Sequence, residues 1–149
     1  MKLYDSVALI LRQKGSDVHS ISPNVTVYEA LEKLAEKDIG ALVVMDGPEL
    51  VGVLSERDYV RKVFIKGRSS KEMMVHEIMS SPVVTVNVST TVDECMRQMT
   101  DERCRHLPVV EQGRVVGVVS IGDLVNWIIT TQDHTINQLQ DYISGKYPA

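Results

Sequence analysis

The chain is poor in the residues that covalent chemistry uses. Cys95 and Cys104 are the only cysteines among 149 residues, nine apart and outside any C-x-x-C arrangement. A disulfide framework is therefore not expected, and both read as small core residues of a reduced compartment. The four histidines, His19, His76, His106 and His134, are scattered without metal-ligand spacing. No G-x-S-x-G, Walker A or G-x-G-x-x-G sequence occurs, so the common nucleophile and phosphate-cradling devices are missing. These absences predict a protein that is not an enzyme and has neither a metal nor a catalytic cofactor. Long apolar runs are lacking too: none approaches the roughly 18–20 residues needed to cross a bilayer. The start, Met1-Lys2-Leu3-Tyr4-Asp5, has no signal-peptide pattern, and a cytoplasmic setting is expected. Nor is there an excess of basic residues. The net charge of -4 argues against broad binding to nucleic acid or an anionic membrane, while leaving room for a local basic pocket. What the chain does have is 44% hydrophobic residues, an ordinary globular content. That suffices for one compact domain or two half-size units packed on each other.

The strongest organising signal is internal. Shifted by 65 positions, Ser20–Val60 lies over Thr85–Val125 without a gap, and about eleven of the forty-one positions are identical. Each copy opens with a short β-type stretch, His19–Pro23 or Val83–Asn87. A helical pattern follows, placing Val27, Ala30, Leu31 and Leu34 on one face in the first copy, and Val92, Cys95, Met96 and Met99 in the second. Thr26-x-x-Glu29 and Thr91-x-x-Glu94 mark the helix starts as capping boxes. Next come two β-branched runs around a Gly-containing turn, Ala41–Met45 with Leu50–Leu54 and Leu107–Val110 with Val115–Val119. A second helix begins at Ser55 or Ser120. The predicted fold is α/β, each unit reading β-α-β-β-α. Neither unit can cover both faces of its sheet alone, so the two should pack sheet to sheet with pseudo-two-fold symmetry. Val7–Gln13 predicts a short helix with Val7, Ile10 and Leu11 inward, and Val75–Met79 stands to the second copy as that helix stands to the first. The expected organisation is an N-terminal helix segment (1–16), repeat 1 (17–65), a linker and short helix (66–81), repeat 2 (82–131) and a C-terminal helix and tail (132–149), with a final amphipathic helix over Thr135–Tyr142.

The two copies share Ser-x-x-Asp at the strand-to-helix boundary, Ser55-Glu-Arg-Asp58 and Ser120-Ile-Gly-Asp123. Two readings compete. Ser with an acid in the first turn is a helix cap and nothing more. Alternatively, free N–H groups at a helix start can receive a phosphate, and a carboxylate one turn on can accept from the hydroxyls of a ribose. The residues alone support either.

The repeated pattern Gly40-Ala-Leu-Val-Val44…Leu50-Val-Gly-Val-Leu-Ser-Glu-Arg-Asp58 and Arg105-His-Leu-Pro-Val-Val110…Val115-Val-Gly-Val-Val-Ser-Ile-Gly-Asp123 resembles a pair of cystathionine-β-synthase-type (CBS) domains, a Bateman module. Ser55-Glu-Arg-Asp-Tyr-Val-Arg-Lys62 followed by Gly67-Arg-Ser-Ser70 further resembles stand-alone CBS-pair proteins of bacteria and of plant organelles. The resemblance implies clefts between the repeats that take AMP, ADP, ATP, and in some members NAD(H) or S-adenosylmethionine. It also implies a homodimer through the repeat helices and a separate regulated protein. Carried over, one cleft joins Ser55 and Asp58 to Thr85, Arg105 and His106, and the other joins Ser120 and Asp123 to Ser20, Gly40 and Ala41.

These clefts differ in charge. Arg57, Arg61, Lys62 and Lys66 follow the first motif where the second has Gly122, Asn126, Trp127 and Thr131, and Arg105-His106 stands opposite Gly40-Ala41. Every additional basic residue of the comparison falls to the Asp58 cleft, which is therefore expected to prefer the more phosphorylated ligand. A His beside a phosphate can hold a proton near neutral pH. The competing expectation is a structural, dimerising module with degenerate, empty clefts.

Overall fold

The computed structural model describes residues 4–131. The helix expected over Thr135–Tyr142 lies outside them. In chain order the elements are α1 (Val7–Lys14), β1 (Ser20–Ile21), α2 (Val27–Lys37), β2 (Ala41–Asp46), β3 (Glu49–Ser55), α3 (Glu56–Tyr59, continued as a π-helix over Val60–Phe64), α4 (Val75–Ile78), α5 (Val92–Glu102), β4 (His106–Glu111) and β5 (Arg114–Ser120). A last helix, α6, covers residues 121–131. The β-branched runs form antiparallel hairpins, β2 with β3 and β4 with β5, each closed by a two-residue turn. β1 adds to β2 in parallel, Ser20 opposite Val43 and Ile21 opposite Val44. The matching stretch of the second copy, expected over Val83–Asn87, is reduced to a single bridge between Val86 and Val109.

Each hairpin packs one face on its own helix, and the two cores correspond residue for residue at the 65-residue offset. Val27, Ala30, Leu34, Leu42, Val44 and Leu54 form the first, and Val92, Cys95, Met99, Leu107, Val109 and Val119 the second. The predicted Leu31 and Met96 sit at the edges of these cores, partly buried. Thr26 and Thr91 accept hydrogen bonds from the Glu29 and Glu94 amides at 3.2 Å, the threonine half of the expected boxes. Strand alternation turns Val43 and Pro108 to the opposite faces from Leu42 and Leu107, and both are nonetheless buried.

The short helices exchange partners. α1 precedes the first repeat, yet Val7, Ile10 and Leu11 are buried in the second core. α4 precedes the second repeat, yet Val75 and Ile78, with Met73, are buried in the first. Matching hydrogen bonds hold the two crossings. Val7 donates to the Thr90 carbonyl at 2.8 Å and Val92 to Asp5 at 2.9 Å; Val75 donates to Val25 at 2.9 Å and Val27 to Met73 at 2.8 Å. Gly52 and Gly117 make room for the crossings. A Cβ at Gly52 would stand 2.5 Å from Met79 Sδ, and one at Gly117 2.7 Å from Leu11 Cδ2.

Candidate functional site

Both Ser-x-x-Asp motifs form the reciprocal cap that their spacing allows. Ser55 Oγ accepts from the Asp58 amide at 3.2 Å while the Ser55 amide donates to Asp58 Oδ2 at 2.9 Å. In the second copy the Asp123 amide donates to Ser120 Oγ at 3.1 Å and the Ser120 amide to Asp123 Oδ2 at 2.8 Å. The residue after each serine is tied to the start of its own hairpin, Glu56 N–H to the Gly40 carbonyl at 3.1 Å and Ile121 N–H to Arg105 at 2.9 Å. Capping is therefore part of the motif's role in each repeat, and it aims a carboxylate at the strand ends.

Beside Asp58 lies a cleft of about 660 Å³. Its walls bring together Ser55, Arg57 and Asp58 with Arg105 and His106, as expected, and add Arg61, Lys62, Ser80 and Cys104. Thr85 is not on this wall: the neighbouring Val83 and Val84 line the cleft, and Thr85 is exposed. Asp58 Oδ1 accepts from Ser80 Oγ at 3.3 Å and faces Lys62 Nζ at 3.3 Å, and Lys62 also donates to the Ile78 carbonyl at 2.8 Å. Among the described residues Arg57, Arg61 and Arg105 form no ion pair. Desolvation first, then the positive charges of Arg105 and Arg61, hold the Arg57 guanidinium below its ordinary value, with Asp58 opposing. Three guanidinium groups without a direct ion pair among the described residues, in a cleft that Asp58 and Glu102 also line, are an arrangement that an anionic ligand would complete.

At the second motif the charge difference is smaller than the repeats alone suggest. Lys14, from the end of α1, donates to Asp123 Oδ2 at 2.6 Å and to the Val118 carbonyl at 2.8 Å. Burial raises the Asp123 carboxyl, but the Lys14 and Ser120 hydrogen bonds outweigh it and leave Asp123 below its ordinary value. The expectation that every additional cation falls to the Asp58 cleft is thus corrected. Lys14 lies outside the 65-residue register, and the exchange of α1 carries it across.

Of the residues expected with Asp123, Gly40 lies against His106, with a Cβ built there 3.5 Å from its Nε2. Ala41 pairs with Ser55 and Ser20 with Val43, and no hydrogen bond joins Ser20 or Ala41 to Ser120 or Asp123 among the described residues. His106, assigned by the repeat comparison to the Asp58 cleft, is shared. It lines that cleft but pairs with Ser120 in the hairpin register. Burial pushes its pKa down; Asp123 and Asp58 pull it up, and Lys14 and Arg105 push it down further.

Sequence reading missed Lys14 and Ser80, which reach the two aspartates from the crossing segments. No local pattern marks them. The Asp58–Lys62 pair does carry a sequence signal, being an i,i+4 pair of opposite charge.

A family model for the CBS domain matches this chain twice, over residues 14–64 and 75–130. The chain belongs to the CBS-domain family, as a tandem pair of repeats. It is 40% identical over 151 residues to the mitochondrial CBS domain-containing protein CBSX3 of Arabidopsis thaliana, covering 95% of this chain and 73% of that protein. It is 32% identical over 109 residues to the CBS domain-containing protein YhcV of Bacillus subtilis, covering 73% of this chain and 77% of that one. A solved CBS-domain protein of Burkholderia ambifaria MC40-6 matches with a TM-score of 0.82 at 46% identity, over 86% of this chain and 96% of that chain. A hexameric CBS-CP12 protein from bloom-forming cyanobacteria matches with a TM-score of 0.75 at 29% identity, over 84% and 72%. Among the described residues no helix is long and apolar enough to cross a membrane.

Proposed function

We propose that this CBS pair is a non-enzymatic regulatory module that binds an adenine nucleotide in the Asp58 cleft and passes its occupancy to a separate protein in a reducing, cytoplasmic setting. The observation that carries this reading is the cluster of Arg57, Arg61 and Arg105, without ion-pair partners among the described residues, lining one cleft together with Ser55 and Asp58. An acceptor for ribose hydroxyls and a set of phosphate-binding cations in one cleft suit a ligand with both groups. AMP, ADP and ATP fit that description, as does the adenosine diphosphate half of NAD(H). S-adenosylmethionine, which has no phosphate, would leave the arginines unused. The cleft therefore favours ATP and ADP over AMP.

Thermal shift with AMP, ATP, NADH and S-adenosylmethionine tests the reading. A ligand at a hundred times its Kd adds about 2.7 kcal/mol, or roughly 5–10 °C for a chain of this size. ATP is expected to produce that shift, Asp58→Ala to abolish it, and Arg105→Ala to weaken ATP more than AMP. If none of the four ligands moves the melting temperature, the reading is wrong. A second reading, a structural module with empty clefts, is favoured by one observation: both Ser-x-x-Asp pairs are engaged as caps. The same thermal shift separates the two.

Self-association belongs to the proposal. Val60 and Phe64, and their counterparts 65 residues on, Val125 and Ile129, are exposed large apolar residues on the helices that follow the two motifs. Phe64 is 64% and Ile129 52% exposed. A second copy is the occupant that symmetric patches suit, through a self-complementary two-fold contact. Sedimentation should show a dimer, and Phe64→Glu should shift it to monomer.

A further inference from the structure

The exchange of α1 does more than fill the second core. Gly117 has no Cβ to hold Leu11 away, so α1 packs directly on β5. One turn beyond Leu11, Lys14 reaches the next residue of that strand, donating to the Val118 carbonyl at 2.8 Å, and continues to Asp123 Oδ2 at 2.6 Å. With the Ser120 amide on the same oxygen at 2.8 Å, Oδ2 has two donors and only Oδ1 is left for a ligand. Asp58 is held differently. Its cation, Lys62, comes from four residues along its own helix and stands 3.3 Å from Oδ1, beside the Ser80 hydroxyl of the crossing segment at 3.3 Å, while Oδ2 accepts from the Ser55 amide at 2.9 Å and from Ser55 Oγ at 3.1 Å. Both aspartates carry a lysine, but only the ammonium at Asp123 is in close hydrogen-bond contact, at 2.6 Å against 3.3 Å at Asp58. Charge-assisted hydrogen bonds weaken steeply over that difference in length.

We propose that Lys14 is a built-in competitor for the Asp123 carboxylate, so that a nucleotide fills the Asp58 cleft first and reaches both oxygens of Asp123 only by displacing that ammonium. This rests on the nucleotide reading given above and adds to it an order of filling and the residue that sets it. A ribose hydroxyl and an ammonium are both donors and compete for the same lone pairs. The Lys14–Asp123 pair is partly exposed, with side-chain exposures of 38% and 23%, so water screens it and a ligand can displace it.

Isothermal titration with ATP and with AMP tests this on the full chain, using wild type, Lys14→Met, Lys14→Arg and the double variant Lys14→Met/Asp58→Ala. Wild type should bind in two unequal steps. Lys14→Met should tighten the second by about tenfold, the scale of one charge-assisted hydrogen bond in a half-exposed site, and leave the first unchanged. Lys14→Arg should keep the wild-type pattern, and the double variant should retain one site. The proposal is overturned if Lys14→Met leaves the second step unchanged. It is equally overturned if that variant weakens the second step, which would make Lys14 a ligand contact. Absence of binding in wild type and in every variant sinks the nucleotide reading and this proposal together. Binding in Lys14→Met alone, with wild type silent, overturns the order of filling, because the Asp58 cleft would then not be the primary site.

Discussion

His106 lies within electrostatic reach of both motif aspartates. It lines the Asp58 cleft, lies against Gly40 and pairs with Ser120 beside Asp123. Burial, the largest influence, holds its pKa below the ordinary 6.5, so the ring is neutral at pH 7 in the free protein. A phosphate placed beside it favours the imidazolium and raises that pKa. Binding then takes up a proton, and affinity for ATP should increase as pH falls from about 7.5 to 6. Titrations in buffers of different ionisation enthalpy should detect the uptake, and His106→Gln should abolish it. Stability runs the opposite way. An unfolded chain protonates this histidine below pH 6.5 while the folded one resists, so the residue's contribution is full above 6.5 and declines as pH falls toward its folded value. That a histidine stood here was legible in the sequence; that it faces both aspartates was not, because the offset comparison assigns each residue to one cleft.

At the scale of elements, the hairpins and their helices follow from local pattern. A 3.6-residue apolar stripe can bury one face in only one register, so Val27, Ala30 and Leu34 and their counterparts were identifiable as core from spacing alone. The short helices α1 and α4 follow another rule. Val7, Ile10 and Leu11 form an apolar face that would fit either repeat, and nothing in eight residues records which. The glycines decide the fit locally. Gly117→Ala should destabilise by about 1–3 kcal/mol, because the new methyl overlaps Leu11. Leu11→Ala alone should cost about 2–5 kcal/mol through the lost core side chain. The double variant should cost clearly less than the sum, since each change removes the other's partner. Urea denaturation of the four proteins measures the cycle, and additivity would mean that α1 does not press on β5 at Gly117.

The whole molecule is interlocked by that exchange. Each core contains a helix that belongs, in chain order, beside the other repeat, so the two repeats cannot separate without opening both cores. Removing residues 1–16 should therefore damage the distant half of the chain. Val7, Ile10 and Leu11 each contribute roughly 1.5–3 kcal/mol of burial to a total stability of about 5–15 kcal/mol. A chain starting at residue 17 should lose hydrogen-exchange protection chiefly in α5, β4 and β5, and much less in β2 and β3. Loss confined to the first repeat would contradict the exchange. A ligand between such repeats acts on both at once, and a partner can read it only if the two packings bind it with different affinity.

Sequence by itself determined the repeat, its 65-residue register, the β-α-β-β-α order, the two cores and the pair of capped aspartates. All of these depend on spacing within a few tens of residues, and spacing survives in a linear string. Tertiary structure alone decided that α1 and α4 trade places, that Lys14 comes to rest on Asp123 and Ser80 on Asp58, and that His106 comes within reach of both aspartates. Those contacts join residues as far as 109 positions apart. Their energies come from close packing at Gly52 and Gly117 and from charge brought near charge, neither of which leaves a period in the sequence.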